Sequence, residues 1–580
     1  MKYFQFVVLV LIVLTSCQKP ALNPEEFQTQ FEKSDGAETA TYAELVDFYK
    51  RLDLASENIR LTPIGQTDSG KPLHLVQFNA QGNFEASKEQ YKLLINNGIH
   101  PGESDGIDAS MMLFRDLASE KIKLDNPKLL ISAIVVYNVG GALNRNSTTR
   151  ANQNGPVSYG FRGNARNFDL NRDFIKADTE NARSFAQVYH SIKPDLFIDN
   201  HVSNGADYQY VITHLFTQHN KLAGPLGAFL DQTWQPYLEQ AMADDKYPIT
   251  PYVNVFGRTP DPKGFSQFMD YPRYSTGYTS LFNTLGMMVE THMLKPYKDR
   301  VLSTYILLEN NLDFLNLYGK QIKELRKKQD SYYRNIDLYP LKYSIDYGSK
   351  VSLDFLGYEG TTEKSEVTTG SRLKYHHDKP FEKKVDYFNQ MIASSFVEVP
   401  EYFVVPKGFW PVINRLKENK IKFKRLAKDS IIEVRVKHIS KFETRTNAYE
   451  GHYPHYNTNT VSSIDNIQFY KGDYLIPLNQ EGMRYLMETL EPEAIDSFFN
   501  WNYFDTILQQ KEGFSSYVFE DYALEFLNEH PKIKSEFNQK LKSDSDFASK
   551  PYVQLRWIFT HSDLYEKAHL RYPVFAILKN

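Results

Sequence analysis

Short apolar runs alternate with longer amphipathic stretches from about residue 42 onward. Four such runs, bounded by Gly, Pro and Asn, lie at residues 91–96, 129–137, 195–199 and 286–289. Runs of this length and apolar content are typical of strands buried in an α/β sheet. The stretches 107–118 and 178–192 have helical periodicity and lie between the runs. This alternation predicts an open α/β sheet, followed by a long helix over 301–328 that closes a first domain near residue 330.

The pattern changes after residue 330. Residues 331–480 contain stretches in which polar and apolar positions alternate, such as 431–436, with turn-rich segments between them. Helical spacing returns over residues 481–547. We therefore predict a catalytic domain over 42–330 and an accessory α+β region over 331–580.

The first residues resemble an export signal. An apolar run over residues 3–14 follows Lys2. It is shorter than the ~20 residues that span a bilayer, but it has the length of a signal-peptide core. The run ends in Leu14, two small residues and Cys17, which resembles a bacterial lipobox.

The lipobox resemblance implies cleavage before Cys17 and lipidation of that residue. Residues 1–16 would then be a lipoprotein signal peptide and residues 17–41 a polar tether. The membrane would be a partner through the lipid anchor, in the bacterial cell envelope at the outer membrane or the periplasmic face. The alternative is an ordinary signal peptide with an incidental cysteine; both interpretations export the protein.

Composition narrows the classes of function. The chain has 580 residues, 41% apolar and 24% charged, which excludes disorder as its main state. Lys and Arg number 67 and Asp and Glu 71, so the net charge of −4 argues against nucleic acid as a partner. Cys17 is the one cysteine, so the chain has no internal disulfide and no cysteine-based zinc or iron–sulfur site.

Candidate metal ligands follow the predicted strands. The first run leads into a turn that carries His100 and Glu103, the third is followed by His201, and the fourth by Glu290. Ligands of open α/β sheets collect outside the carboxyl ends of the strands. Zinc accepts imidazole nitrogen and carboxylate oxygen, and three protein ligands leave one position for water. The spacing therefore predicts a hydrolytic metal site at this edge of the sheet.

A second segment, residues 163–174, is dense in Asn and Arg. An arginine offers a planar fork that matches a carboxylate, and an asparagine adds a neutral donor. Beside a metal site, this composition indicates recognition of an anionic group on the substrate.

Taken together, these motifs resemble the carboxypeptidase A-type zinc metallocarboxypeptidase family. The resemblance covers roughly residues 42–300 and rests on the order and spacing of four motifs: His100-x-x-Glu103, Asp169-x-Asn171-Arg172, His201 and Glu290. It implies an α/β/α sandwich with a mixed, mainly eight-stranded sheet. It also implies one zinc ion per chain.

The resemblance assigns roles residue by residue. His100, Glu103 and His201 would hold zinc, and Asp169 would orient the first histidine. Asn171 and Arg172 would bind the terminal carboxylate of the substrate, and Glu290 would be the general base.

The family also uses an arginine upstream of the Asn–Arg pair to polarise the scissile carbonyl. Arg150 is our candidate and Arg145 the alternative. A substrate-binding tyrosine is expected before Glu290, where residues 271–278 contain three tyrosines. We assign Tyr278 from this stretch, together with Arg273 as a contact for an acidic substrate group.

The sequence thus predicts zinc-dependent hydrolysis of a peptide or amide bond near a free carboxylate, with water activated by zinc and Glu290. The partner would be a peptide or peptide-like substrate. An amidase, deacylase or cell-wall peptide hydrolase on the same fold is one alternative. A lipoprotein whose peptidase-like domain only binds is a second.

Overall fold

The computed structural model describes residues 22–579, so the proposed signal peptide and Cys17 lie outside the described residues. The helices, in chain order, are α1 (Gln30–Lys33), α2 (Tyr42–Ala55), α3 (Asp105–Ala118), α4 (Val139–Leu143), α5 (Glu180–Ile192), α6 (His219–Leu222), α7 (Gly224–Phe229), α8 (Gln235–Asp244), α9 (Ser275–Ser280), α10 (Tyr297–Arg334), α11 (Trp410–Glu418), α12 (Met483–Leu490), α13 (Ser516–Glu529), α14 (Pro531–Ser543), α15 (Ser545–Ala548) and α16 (Pro551–His561). None of the helices within residues 22–579 combines the length and apolar content needed to cross a bilayer.

The strands are β1 (Ile59–Ile64), β2 (Leu73–Phe78), β3 (Tyr91–Asn96), β4 (Leu129–Ile134), β5 (Leu196–Ser203), β6 (Ile212–Phe216), β7 (Thr250–Pro251), β8 (Phe265–Ser266), β9 (Leu285–His292), β10 (Leu338–Ile345), β11 (Val351–Lys364), β12 (Ser371–Phe388), β13 (Met391–Glu398), β14 (Tyr402–Val405), β15 (Lys424–Arg425), β16 (Ser430–Thr444), β17 (His455–Phe469), β18 (Tyr474–Pro477) and β19 (Phe575–Ile577). The four apolar runs of the sequence are β3, β4, β5 and β9, as predicted.

An eight-stranded mixed sheet forms the centre of the first region, in the order β1-β2-β4-β3-β5-β9-β6-β7. The four predicted strands pair in parallel at its middle. Strands β1, β2 and β6 join them antiparallel toward the two edges. The expected mixed eight-stranded sheet is therefore confirmed.

Side chains of β3 alternate between two hydrophobic cores, because successive residues of a strand point to opposite faces. Leu93 and Ile95 join the core that contains residues of α3 and α10. Leu94 joins the core on the other face, which contains residues of α5 and α9. Helices thus cover both faces, which explains why the central strands are continuous apolar runs.

The parallel pairing brings the ends of three strands to one edge of the sheet. Asn96 at the end of β3 pairs with Asp199 of β5. Two residues further along β5, His201 pairs with Glu290 of β9. This register places an imidazole and a carboxylate side by side at the edge toward which β3 also runs.

The accessory region contains further sheets, as the alternating pattern predicts. The largest is six-stranded, in the order β15-β18-β14-β19-β16-β17, and the hairpin β11–β12 adds the short β8 of the first region. The core on the α5 side of the central sheet continues directly into this region, where it includes Phe403, Ile476 and Phe498. The two regions therefore share one hydrophobic core.

The segment before α2 differs from the expected tether. Within residues 22–41, Phe27 and Phe31 are buried in the core on the α3 side. The carboxylate of Glu32 lies 2.6 Å from the guanidinium of Arg115 on α3. Thr29 and Thr41 each form a capping box at the start of a helix. Residues 22–41 are thus part of the folded domain. Their composition is mostly polar, but the buried side chains of Phe27 and Phe31 attach them to the core.

Replacing Phe31 with Ala tests this packing. The ring is 3% exposed and meets the Tyr297 ring edge-on, so Phe31→Ala is expected to reduce the free energy of unfolding by about 3–5 kcal/mol. Chemical denaturation measures the change. Leu54→Ala is the control because Leu54 is 80% exposed, and its effect should stay within about 0.5 kcal/mol. Equal stability of the two variants would show that the segment is a loose tether.

Candidate active site

The turn after β3 carries the first two predicted metal ligands. The backbone N–H of Glu103 donates to the carbonyl of His100 at 2.8 Å, which closes the turn. Gly98 opens it with φ +63°, a conformation that side chains rarely adopt. A Cβ at this position would also lie 2.9 Å from a methyl carbon of Val136. The glycine is therefore what allows the chain to turn sharply enough for both ligands to face the sheet edge.

Gly102 gives Arg150 room to reach the site. A Cβ at residue 102 would lie 2.6 Å from Cδ of Arg150 and 3.0 Å from the carbonyl oxygen of Gly160. Across this gap Nη1 of Arg150 approaches Oε1 of Glu103 at 2.8 Å. Arg145, the alternative candidate, instead donates to Ser158 and to the carbonyl of Ala40. Of the two arginines, Arg150 lines the catalytic cavity.

His100, Glu103 and His201 converge on one point. One ligand atom from each lies within 4.8 Å of the other two, and all three side chains are buried. Nδ1 of His100 and Nδ1 of His201 are each 3.1 Å from Oε2 of Glu103. Separations of this size fit tetrahedral zinc, whose ligand atoms stand about 3.3 Å apart.

The outer nitrogens of both rings are held by carboxylates. Nε2 of His100 lies 2.9 Å from Oδ1 of Asp169, and Nε2 of His201 lies 2.9 Å from Oδ2 of Asp199. Burial opposes ionisation of Asp169, but the His100 imidazole and the Arg162 guanidinium keep its pKa below the usual range. A carboxylate can only accept, so each Nε2 carries its proton.

This tautomer leaves each Nδ1 as a lone pair directed at the Glu103 carboxylate. Two imidazole lone pairs and a carboxylate oxygen repel one another unless a metal cation or a proton lies between them. The donor set therefore fits zinc, and the three residues would hold it through the two Nδ1 atoms and a Glu103 oxygen.

Glu290 lines the same cavity from β9. Loss of surrounding water raises the pKa of the Glu290 carboxyl to about 7, while the nearby His201 imidazole opposes the rise. A divalent cation beside it would favour the carboxylate form further. The carboxyl is thus poised to exchange a proton near neutral pH, which is what a general base requires.

Asn171 and Arg172 form a short helical turn, Leu170–Arg172, whose start is capped by the Asp169 carboxylate. Both line the cavity. The Arg172 guanidinium lies over the ring of Tyr274 at 4.8 Å, which holds its plane in place. The amide oxygen of Asn171 is buried and has no hydrogen-bond partner among the described residues.

Two predicted substrate contacts lie elsewhere. Tyr278 is 1% exposed, and its hydroxyl donates to Oδ1 of Asn419 at 2.5 Å, inside the core that the two regions share. Nη2 of Arg273 pairs with Oδ1 of Asp496 at 2.8 Å. Neither residue lines the catalytic cavity, which corrects both assignments. Both partners come from the accessory region, whose packing the sequence does not reveal.

Three cavity or supporting residues were missed by the sequence analysis, and Tyr274, one of the three tyrosines considered in residues 271–278, lines the cavity in place of Tyr278. Tyr252 also lines the cavity, and the burial of Tyr252 together with the nearby Glu290 carboxylate raises the pKa of its phenol. Arg162 holds Asp169 at 2.8 Å, and Asp199 holds His201. Asp199 could have been found, because it lies two residues before His201 and so on the same face of β5. Tyr252 has no such signal in its surroundings.

The cavity as a whole has a volume of about 630 Å³ and is open to solvent. Arg150, Arg162 and Arg172 supply its positive charge. Its apolar part includes Leu215 and Met288, which face each other across β6 and β9. Three candidate metal ligands, a buried carboxyl group and three arginines around one open cavity are typical of metal-dependent hydrolases.

Residues 45–203 match the family model described as zinc carboxypeptidase. The match spans β3 to β5 and contains all three ligands of the metal site. Residues 45–203 therefore belong to a zinc carboxypeptidase domain, which indicates a zinc-dependent peptidase of the carboxypeptidase type.

Solved structures give weaker similarities. A metallo-carboxypeptidase from Burkholderia cenocepacia is 15% identical with a TM-score of 0.35, over 48% of this chain and 69% of that one. A metallo-carboxypeptidase from Pseudomonas aeruginosa, solved with (2-guanidinoethylmercapto)succinic acid, is 15% identical with a TM-score of 0.36, over 48% and 68%. A carboxypeptidase A from Helicoverpa armigera is 11% identical with a TM-score of 0.35, over 50% and 74%. No curated protein matches the chain.

Removing the charge from either supporting carboxylate should weaken zinc binding. Asp169→Asn and Asp199→Asn each take away the anion that fixes the histidine tautomer, and the expected loss of zinc affinity is about 10–100-fold. Competition with a fluorescent chelator measures it. Asp521→Asn, at an exposed position of α13, is the matched control and should bind zinc like the wild type. Wild-type affinity in both test variants would contradict the assigned tautomers.

Proposed function

We propose that the enzyme hydrolyses the peptide bond next to a free carboxylate, as a carboxypeptidase does. The observation that carries this proposal is the position of Asn171 and Arg172. They line the same cavity as the metal ligands and Glu290. A substrate held there by its terminal carboxylate would present its last peptide bond to the catalytic groups.

Carboxylate recognition is the role that suits Arg172 and Asn171. Arginine binds a carboxylate through two parallel N–H groups, and such charge-assisted pairs are stronger than neutral hydrogen bonds. Tyr274 restricts the guanidinium before any ligand arrives, which lowers the entropy lost on binding. Asn171 lines the same cavity, and the N–H groups of its side-chain amide are neutral donors for the carboxylate.

Zinc, when bound, lowers the pKa of water and polarises a carbonyl group. Glu290 takes the proton of the attacking water on a carboxylate oxygen and delivers it to the nitrogen of the leaving amine. Arg150 donates from its guanidinium to the carbonyl oxygen as negative charge develops there. Asp169 and Asp199 keep the two histidines in one tautomer throughout.

The place of action is also part of the proposal. The apolar run over residues 3–14 and the lipobox-like sequence ending at Cys17 support export and lipid anchoring in the cell envelope. Substrates would then be peptides outside the cytoplasm, including peptides of the cell wall.

Glu290→Gln is expected to keep zinc and lose nearly all turnover. The amide cannot accept the water proton, and loss of a general base typically costs about 10²–10⁴-fold in kcat. Peptide hydrolysis and zinc content are measured on the same preparation. Glu401→Gln, at an exposed site in the accessory region, is the control. Hydrolysis at the wild-type rate by Glu290→Gln would remove this residue from the role of base.

Blocking the substrate carboxylate is expected to abolish the selectivity that Arg172 provides. The wild type should cleave a peptide with a free terminus at least about 100-fold faster, in kcat/KM, than its amidated form. Arg172→Ala should raise KM for the free peptide by about 10–100-fold while leaving the amidated peptide unchanged. Equal rates on both peptides would instead identify an endopeptidase or amidase.

A further inference from the structure

A second cavity of about 660 Å³ lies in the accessory region. It is enclosed by the loop between β16 and β17, the start of β17, and residues 493–501. Arg273 contributes to its wall, whereas the next residue, Tyr274, lines the catalytic cavity. The two cavities are therefore neighbours that share one short stretch of chain.

The inner wall of this second cavity is a fixed, buried structure. His455 is 5% exposed; its Nδ1 lies 2.8 Å from the Thr444 hydroxyl and its Nε2 lies 3.0 Å from the Asp505 carboxylate. The hydroxyl of Thr458 donates to Oδ1 of Asn500 at 2.7 Å. Such buried, satisfied polar networks rigidify a surface. The cavity is thus a preformed site rather than a gap between side chains.

The charges that face the cavity are unbalanced. Arg273 is neutralised by Asp496, and the carboxylate of Glu493 accepts from the backbone and hydroxyl of Thr460. Lys342 and Arg445 form no ion pair within residues 22–579, so the lining carries two unpaired cations against the one remaining carboxylate, that of Glu493. This excess of positive charge favours an anionic ligand.

The neutral groups that line the cavity indicate which kind of anion it would bind. Asn447 adds an amide donor beside the cations, and the indole of Trp501 forms part of the wall. The Arg445 guanidinium lies over the Tyr449 ring at 4.7 Å, which limits its motion. A positioned guanidinium, an ammonium and amide N–H groups suit the planar oxygens of a carboxylate.

We propose that this cavity, defined by Lys342, Arg445, His455, Asn500 and Trp501, is a second binding site for a carboxylate-bearing ligand, separate from the catalytic cavity. The ligand is either an acidic segment of a peptide or a small free dicarboxylate. Both present the same group to the two cations.

The loop that forms the rim also contacts the catalytic segment. Between β16 and β17, the Glu450 carboxylate accepts from the backbone N–H of Asp169 at 2.8 Å. Nε2 of His452 in the same loop lies 2.7 Å from the Asp178 carboxylate. A ligand in the second cavity would therefore contact the loop that holds Asp169, the partner of His100.

Titration calorimetry tests the site on the zinc-loaded full chain carrying Arg172→Ala, because Arg172 of the catalytic cavity would also bind a free carboxylate. The two probes have no free peptide terminus to serve as substrate. They are N-acetyl-Glu-Glu-Glu amide and glutarate. At least one probe is expected to bind with a stoichiometry of one. The double variant Lys342→Gln/Arg445→Gln should weaken that binding at least about tenfold. Tighter binding of the peptide assigns the ligand to acidic peptides, and tighter binding of glutarate assigns it to small dicarboxylates.

Controls separate this site from nonspecific attraction and from the catalytic cavity. Lys428→Gln/Arg556→Gln removes the same charge at exposed positions and, in the same Arg172→Ala background, should leave probe binding unchanged. The proposal is overturned by an absence of saturable binding, by equal binding of N-acetyl-Gln-Gln-Gln amide, or by equal weakening in the control double variant. None of these outcomes depends on peptidase activity.

Discussion

Three lone pairs aimed at one point are the constraint on which the active site depends. Nδ1 of His100, Nδ1 of His201 and an oxygen of Glu103 lie close together. This arrangement is unfavourable while both rings are neutral and favourable around a cation. The parallel strands β3, β5 and β9 create it by ending at one edge of the sheet, and the carboxylates of Asp169 and Asp199 fix it by holding the outer nitrogens.

Support for the site extends well beyond the ligands. The Asp169 carboxylate forms an ion pair with Arg162, and its backbone N–H donates to the Glu450 carboxylate of the accessory region. Arg172 depends on Tyr274 for its orientation. His100 and Arg172 are therefore each oriented by a second residue, and these second residues, Asp169 and Tyr274, lie far away in the sequence. Affinity for metal and substrate is set by both sets together.

The metal ligands, Asp169 and the Asn–Arg pair could be predicted from the sequence because each follows a recognisable strand end or belongs to a compact motif. The assignment of Arg273 and Tyr278 as substrate contacts was wrong. Arg273 forms an ion pair with Asp496, and Tyr278 donates a hydrogen bond to Asn419. Both partners are too distant in the sequence for a local pattern to predict them. The polar stretch before α2 misled for a similar reason, since Phe27 and Phe31 are only two apolar residues in an otherwise hydrophilic segment. Periodicity reports which face of an element is buried, but not what buries it.

The hydrophobic core that joins the central sheet to the accessory region has a consequence for how this chain can be divided. Truncating the chain after α10 would expose apolar side chains on that face of the sheet. It would also leave the Tyr278 hydroxyl without its hydrogen-bond acceptor, Asn419. Residues 42–330 are therefore not expected to fold without the accessory region. Heat should melt both halves in a single cooperative step, and limited proteolysis should not release a working fragment.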